Sequence, residues 1–361
     1  MSEVPATTDG RVTRREVLAG AAATLPLMLA SSLRAEESPA AKTSMGVVIH
    51  SFGARPASKA GNFHEPLVFL EHCCSIGAGG IQMGLGRRDE AYAAQVRDFA
   101  AKHGMYVEAS IGLPRNQADV ERFTAEVRTA KACGATLARS ALLSSRRYET
   151  FDSAEAFARF AAAAWDSLLL AKPIVEHEQF KIAVENHKDW RVSELLALIA
   201  RIDSPQFGIC VDTGNSIALV EEPQAVVEAY AKLAFTTHIK DMGVEEYPAG
   251  FRLAEVPLGQ GYLNLTRIVD VLRSANPAIR FNLEMITRDP LEIPCLSSKY
   301  WATMPTVPAS ELAAMLSTVR SKAGRKPLPR TSGLSAEEKI MREDENVRAC
   351  LTFAREKLGL T

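Results

Sequence analysis

The sequence predicts an α/β fold, a closed (β/α)8 or TIM barrel with an additional C-terminal helix, on three observations. Short β-rich runs alternate eight times with amphipathic helical stretches from Met45 onward, the pattern of a parallel sheet with crossover helices. The eight rounds occupy about 280 residues, the usual size of a closed barrel. No G-x-G-x-x-G follows the first strand, so an open doubly wound sheet lacks its main signature.

The strands are expected at Gly46–Ser51, Gly80–Met83, Tyr106–Ile111, Leu137–Leu142, Ile182–Asn186, Gly208–Asp212, Phe235–Lys240 and Arg280–Met285. Each is brief, as buried parallel strands are. The helices between them carry apolar stripes at three-to-four spacing: Leu67, Leu70 and Cys74; Val120, Phe123 and Val127; Val192, Leu195, Ile199 and Ile202. His103-Gly104-Met105 and Cys133-Gly134-Ala135 each close a helix and open a strand.

Two segments break the rhythm. Thr287 to Pro308 carries four prolines with Tyr300 and Trp301, and is expected as an extended, lid-like loop on the catalytic face. The tail opens with a capping box, Ser335-Ala336-Glu337-Glu338, and continues with Ile340, Val347, Leu351, Ala354 and Leu358 on one helical face. That helix is expected to cover the barrel bottom or to meet a partner subunit, which is compatible with a homo-oligomer. The domain organisation is therefore a leader over 1–35, a linker over 36–44, a barrel over 45–325 and a C-terminal extension over 326–361.

The leader has a charged region with paired Arg14 and Arg15, the small apolar run Ala19 to Ala30, and the small-residue exit Ser31-Ser32-Leu33-Arg34-Ala35. This is the layout of a twin-arginine signal, so the chain is expected to meet the twin-arginine export machinery and to work in the periplasm or otherwise outside the cytoplasm. The apolar run is shorter than the roughly 20 residues a membrane helix needs, so no stable span is expected in the mature protein. The six cysteines lack C-x-x-C spacing and read as buried apolar residues.

Composition narrows the partner. Of 361 residues, 47% are hydrophobic and 24% charged, and 42 basic residues against 43 acidic leave a formal net charge of -1. That excludes a basic field for nucleic acid and favours a small molecule.

Barrel active sites form at the C-terminal ends of the strands. Four successive late strands end in side chains able to bind a metal: Val184-Glu185, Val211-Asp212, Thr237-His238 and Leu283-Glu284. An acid ending a strand often caps the next helix, and a lone histidine is usually a core residue. Together, three buried carboxylates and an imidazole would be prohibitive without a cation. One divalent metal held by Glu185, Asp212, His238 and Glu284 resolves the repulsion, with Mn²⁺ the first expectation and Mg²⁺, Co²⁺ or Zn²⁺ allowed.

The sequence resembles the xylose-isomerase-like barrels, specifically the sugar phosphate isomerase/epimerase group. The resemblance rests on Val184-Glu185-Asn186-His187, Val211-Asp212-Thr213-Gly214-Asn215, Thr237-His238-Ile239-Lys240-Asp241, Pro257-Leu258-Gly259-Gln260-Gly261 and Leu283-Glu284, and covers roughly residues 45 to 325. It implies that the same four residues are the metal ligands and that Glu185 and Glu284 also move the proton. A metal gripping adjacent carbonyl and hydroxyl oxygens acidifies the C–H between them, and carboxylates on opposite faces can remove and return the proton through an enediolate.

His50, Asn186, His187, Asn215, Lys240, Arg252 and Trp301 are the candidates for holding substrate. Each has a structural reading beside the functional one: His50 as a cap, His187 as a brace for Glu185, Lys240 with Asp241 as a rim salt bridge, Arg252 as an exposed loop residue. Gln82 and Glu108 fit the barrel's own polar layers. Ketose 3-epimerases carry a histidine three residues after the matching aspartate, where this chain has Asn215, and their arginine after the histidine ligand is missing at that spacing. The expected reaction is isomerisation or epimerisation of a free sugar, polyol or keto-sugar. The alternatives are a lyase acting on an inosose or a 3-keto-glycoside, and an exported carbohydrate-binding barrel without turnover.

Overall fold

The computed structural model describes residues 41–55, 62–324 and 327–361. The leader and most of the linker lie outside the described residues.

Eight parallel strands close a barrel: β1 (Gly46–Val48), β2 (Gly80–Met83), β3 (Tyr106–Ser110), β4 (Leu137–Ser140), β5 (Lys181–Glu185), β6 (Phe207–Asp212), β7 (Ala234–Ile239) and, after a hairpin described below, β10 (Phe281–Leu283). β1 pairs with β2 on one side and β10 on the other, so no edge is left open. The helices α1 (Pro66–Ser75), α2 (Glu90–His103), α3 (Val120–Ala132), the one-turn α4 (Arg147–Thr150), α5 (Ala154–Glu178), α6 (Val192–Ile202) and α7 (Pro223–Tyr230) follow in chain order. Their stripes enter the core as expected: Leu70, Phe123, Val127, Leu195, Ile199 and Ile202 are all buried. The strands expected from sequence match these within a few residues. The largest difference is at β1, where Ile49–Phe52 turns into a 3-10 helix and lifts His50 to the surface.

Two findings correct the expected organisation. Asp241–Tyr247 (β8) and Gly250–Val256 (β9) form an antiparallel hairpin between β7 and α8 (Leu265–Ala275), and Leu291–Ile293 (β11) pairs with β9. The segment expected as an extended lid is thus partly a strand, followed by the short α9 (Ser298–Trp301). One face of this sheet buries Met242, Val244, Phe251, Leu253 and Ile293 with Met315 and Val319 of α10 (Ala309–Lys322), a second core beside that of the barrel. Gly250 makes the hairpin possible: its φ is 152°, and a Cβ there would lie 2.2 Å from the Ile293 carbonyl oxygen.

The C-terminal helix α11 (Ala336–Lys357) has the expected capping box of Ser335 and Glu338. It packs on the barrel wall rather than across the bottom, placing Val347, Cys350, Leu351, Ala354 and Leu358 in the main core. Burying each large aliphatic side chain is worth about 1.5–3 kcal/mol. Leu360 is tied to the segment just before β1, with Ser44 N donating to Leu360 O at 3.0 Å. The tail therefore serves as the outer helix for the last barrel strand.

Candidate metal centre

Alternation along parallel strands in register brings the four strand-end residues to one point. Asp212 lies beside His238 in the β6–β7 pairing, His238 lies beside Asn282 in β7–β10, and Glu185 and Glu284 close β5 and follow β10. All four are buried, and one ligand atom from each falls within 4.8 Å of the others. His238 Nδ1 faces Glu185 Oε1 at 3.4 Å, Glu284 Oε1 at 3.6 Å and Asp212 Oδ2 at 3.8 Å, and makes a hydrogen bond to none of them.

The other imidazole nitrogen is occupied. His238 Nε2 donates to Gln82 Oε1 at 2.6 Å, and Gln82 Nε2 donates to Glu108 Oε2 at 3.0 Å. Thr236 Oγ1 and Asn282 Nδ2 also donate to Glu108 Oε2, at 2.7 and 2.9 Å. With Nε2 committed as the donor to Gln82, Nδ1 is the nitrogen that faces the three carboxylates. Burial opposes charge on the ring, but Cys210, Glu284 and Glu185 around it raise its pKa well above the ordinary histidine value. A cation displacing the Nδ1 proton would leave the tautomer a metal ligand requires. An unbonded buried imidazole nitrogen facing three carboxylates is a donor set that fits a hard or borderline divalent cation.

Fixed cations surround the cluster. The Arg139 guanidinium grips Glu185 Oε2, with Nε at 2.5 Å. Lys240 Nζ contacts Glu284 Oε2 at 2.6 Å, Asp212 Oδ2 at 2.9 Å and Glu255 Oε1 at 3.8 Å. Burial opposes ionisation of Glu185 and Glu284, but Arg139 beside the first, Lys240 beside the second and His238 beside both hold them well below the usual carboxylate range. Asp212 moves the other way: burial raises its pKa, and the Glu284 and Glu185 charges reinforce that against Lys240. His50 Nδ1 lies 2.8 Å from Glu284 Oε1, and its exposed ring marks where the cluster meets solvent.

The remaining expected substrate residues divide. Asn215 is inside the site but fully engaged: Nδ2 donates to Glu185 Oε1 at 3.1 Å, and Oδ1 accepts from Lys240 Nζ at 3.1 Å and from Lys188 Nζ. Asn186 faces the backbone of Asp212, accepting from its N at 2.7 Å and donating to its O at 2.9 Å, so it braces that residue. His187 makes no hydrogen bond through its buried Nδ1, and burial, with the adjacent Lys188, lowers its pKa to about 3.

Arg252 and Trp301 are not in the site. Arg252 sits on β9, paired with Glu245 at 2.9 Å and Glu292 at 3.2 Å. Trp301 packs against the second core, and its indole donates to Cys295 O at 2.8 Å. Tyr300 is buried there, so its ring is not free to stack on a sugar. Asp241 is not a rim ion pair: it accepts from the backbone N of Gly259, Gly261, Leu263 and Met242. It thereby knots the turn containing Gly261, where a Cβ would lie 2.1 Å from its Oδ1. Sequence reasoning missed Arg139, Lys188 and Glu255. Arginine inside the apolar strand β4 was the readable signal for the first; the others sit in a loop and in the unforeseen hairpin.

The family model for the xylose isomerase-like TIM barrel matches residues 70–306. The chain belongs to that family. Among relatives of this xylose isomerase-like barrel, the 3-oxo-isoapionate decarboxylase of Pectobacterium atrosepticum is 25% identical over 231 residues, covering 63% of this chain and 80% of its own. A crystal structure of D-psicose 3-epimerase in the presence of D-fructose superposes with a TM-score of 0.54 at 16% identity, over 87% of this chain and 99% of its own. A xylose isomerase-like TIM barrel protein from Mycobacterium smegmatis, in complex with magnesium, superposes with a TM-score of 0.51 at 17% identity, over 76% of this chain and 98% of its own. The family is one of enzymes, with epimerases and a decarboxylase among the proteins this chain is similar to. No helix among the described residues is long and apolar enough to cross a membrane.

Proposed function

We propose that this barrel is a divalent-metal-dependent isomerase or epimerase of a sugar-derived carbonyl compound, working by proton transfer at the carbon next to the carbonyl. The observation that carries this reading is the buried His238 Nδ1, without a hydrogen bond of its own and directed by Gln82 at Glu185, Asp212 and Glu284. Those four residues would hold the cation, with Mn²⁺ as the first candidate, and the cation would supply Lewis acidity toward adjacent substrate oxygens.

Glu284 and Glu185 are the groups that take and return the proton. Both are ionised at neutral pH because cations flank them. Glu284 stands at the solvent side beside His50, which can pass a proton between that carboxylate and water. Arg139 holds Glu185 Oε2 while Lys240 holds Glu284 Oε2, so each carboxylate has a cation of its own.

A second reading, a lyase that expels carbon dioxide or water, begins with the same activation. The decarboxylase relative and the ring of lysine and arginine around the cluster favour it. We propose also that the chain is exported folded through its twin-arginine leader; six cysteines without a disulfide suit that route. Changing Arg14 and Arg15 to lysine should leave the protein in the cytoplasmic fraction, and unchanged export would refute that route.

Incubation of Mn²⁺-loaded protein with ketoses and keto sugar acids in D₂O tests the main reading. Deuterium appearing next to the carbonyl, with an isomeric product, supports the isomerase; loss of 44 or 18 mass units supports the lyase, on the order of the masses of carbon dioxide and water expelled. Metal-loaded protein that gives neither exchange nor mass loss on any substrate would refute both.

A further inference from the structure

Among the charged groups lining the cluster, one touches no group of opposite charge. Glu185 is matched by Arg139, Asp212 and Glu284 by Lys240, and Glu255 by Arg288 at 2.6 Å. Lys188 is buried to the same degree, yet its ammonium meets only the side-chain oxygen of Asn215, and no carboxylate ion-pairs with it among the described residues. The same Asn215 oxygen also receives Lys240 Nζ, so two buried ammonium groups converge on one neutral acceptor. Lys188 cannot swing away freely: it follows β5 by three residues, and its carbonyl accepts from Arg147 N at 2.9 Å.

A buried ammonium that touches no carboxylate is costly, and an anion arriving to meet it relieves that cost. With Lys188 counted, the cations Arg139, Lys240, Arg288 and Lys188 already balance the carboxylates Glu185, Asp212, Glu284 and Glu255, so a divalent cation would leave the site with excess positive charge. Hydroxyl groups cannot offset such an excess; a carboxylate can, and hydrogen bonds between ions are about twice as strong as neutral ones. Burial and the neighbouring Lys240 lower the Lys188 pKa to about 8, which still leaves it mostly protonated at neutral pH.

We propose that Lys188, held beside Lys240 by Asn215, recognises a carboxylate of the substrate, so that this site takes sugar acids rather than neutral sugars. The assignment rests on the metal-dependent reading above and departs from the neutral polyol or keto-sugar that the sequence suggests. Lys188 is here a recognition group and moves no proton.

The test compares D-gluconate with D-glucitol, which carry a carboxylate and a hydroxymethyl group on otherwise like chains. Binding is measured by calorimetry on Mn²⁺-loaded full-length protein, the Lys188→Met variant and the Lys188→Arg variant, with metal content determined on the same samples. The expected result is a preference for gluconate of roughly tenfold or more in the wild type. It should vanish in Lys188→Met and persist in Lys188→Arg. Should the methionine variant fail to fold, Lys188→Gln, which still donates to Asn215, is expected to lose the preference likewise. Metal-loaded wild type without the preference, including one that binds neither compound, overturns the role of Lys188 and leaves the metal reading standing, as does a preference that survives in Lys188→Met. Wild type that takes up no metal instead overturns the reading beneath it.

Discussion

Gln82 Oε1 accepts a 2.6 Å hydrogen bond from His238 Nε2, while the amide nitrogen of Gln82 is spent on Glu108. The amide cannot turn over without losing both bonds, so a residue of β2 determines which imidazole nitrogen of β7 faces the carboxylates. Replacing such a brace typically costs about 10- to 100-fold in metal affinity. Gln82→Leu is therefore expected to weaken Mn²⁺ binding by that order, measured by chelator competition, with the fold intact by circular dichroism. Unchanged affinity would remove Gln82 from the metal account.

Glu284 combines contact with His50, contact with Lys240 and a place at the solvent side of the cluster. Glu284→Gln keeps the shape but removes the proton acceptor. Deuterium exchange into substrate should fall by about 10²- to 10⁴-fold. Exchange at the wild-type rate would assign the proton transfer elsewhere.

Glu343 of α11 accepts from Ala54 N at 2.7 Å, and burial pushes its pKa up to about 7. The folded state thus holds this proton more tightly than the unfolded chain, where the ordinary value is 4.5. Stability must fall as pH rises from the unfolded value through the folded one, and the full penalty stands above the latter. Glu343→Gln is expected to melt about 3 °C or more above the wild type at pH 8, and level with it near pH 4. A constant difference across that range would contradict the assignment.

Leu351 puts the tail helix into the main core. If α11 is an integral outer helix of the barrel, Leu351→Ala should cost about 2–5 kcal/mol in denaturant unfolding. A loss under about 0.5 kcal/mol, as at ordinary surface positions, would make the helix dispensable.

The barrel was legible because its signals are local and repeated: apolar stripes at helical spacing and glycine joints at Gly104 and Gly134. The cluster was legible because strand ends in a closed parallel barrel must converge, so Glu185, Asp212, His238 and Glu284 could be grouped without knowing any distance. The hairpin β8–β9 escaped although Met242, Val244, Phe251 and Leu253 alternate, because an alternating run beside a parallel strand reads as loop until its partner is known. Trp301 failed for the opposite reason: an aromatic in a proline-rich segment looks available, and only tertiary packing shows that its indole is committed to Cys295. Gln82 stayed ambiguous because its role depends on an imidazole more than 150 positions away in the chain.

The most direct measurement is elemental analysis of the purified protein beside an Asp212→Ala variant, each incubated with Mn²⁺ and freed of excess ion. About one divalent ion per chain in the wild type, lost in the variant, is what the buried four-residue cluster predicts. Wild type that holds no ion after incubation with Mn²⁺, Co²⁺ or Zn²⁺, or a variant that holds as much as the wild type, would contradict it.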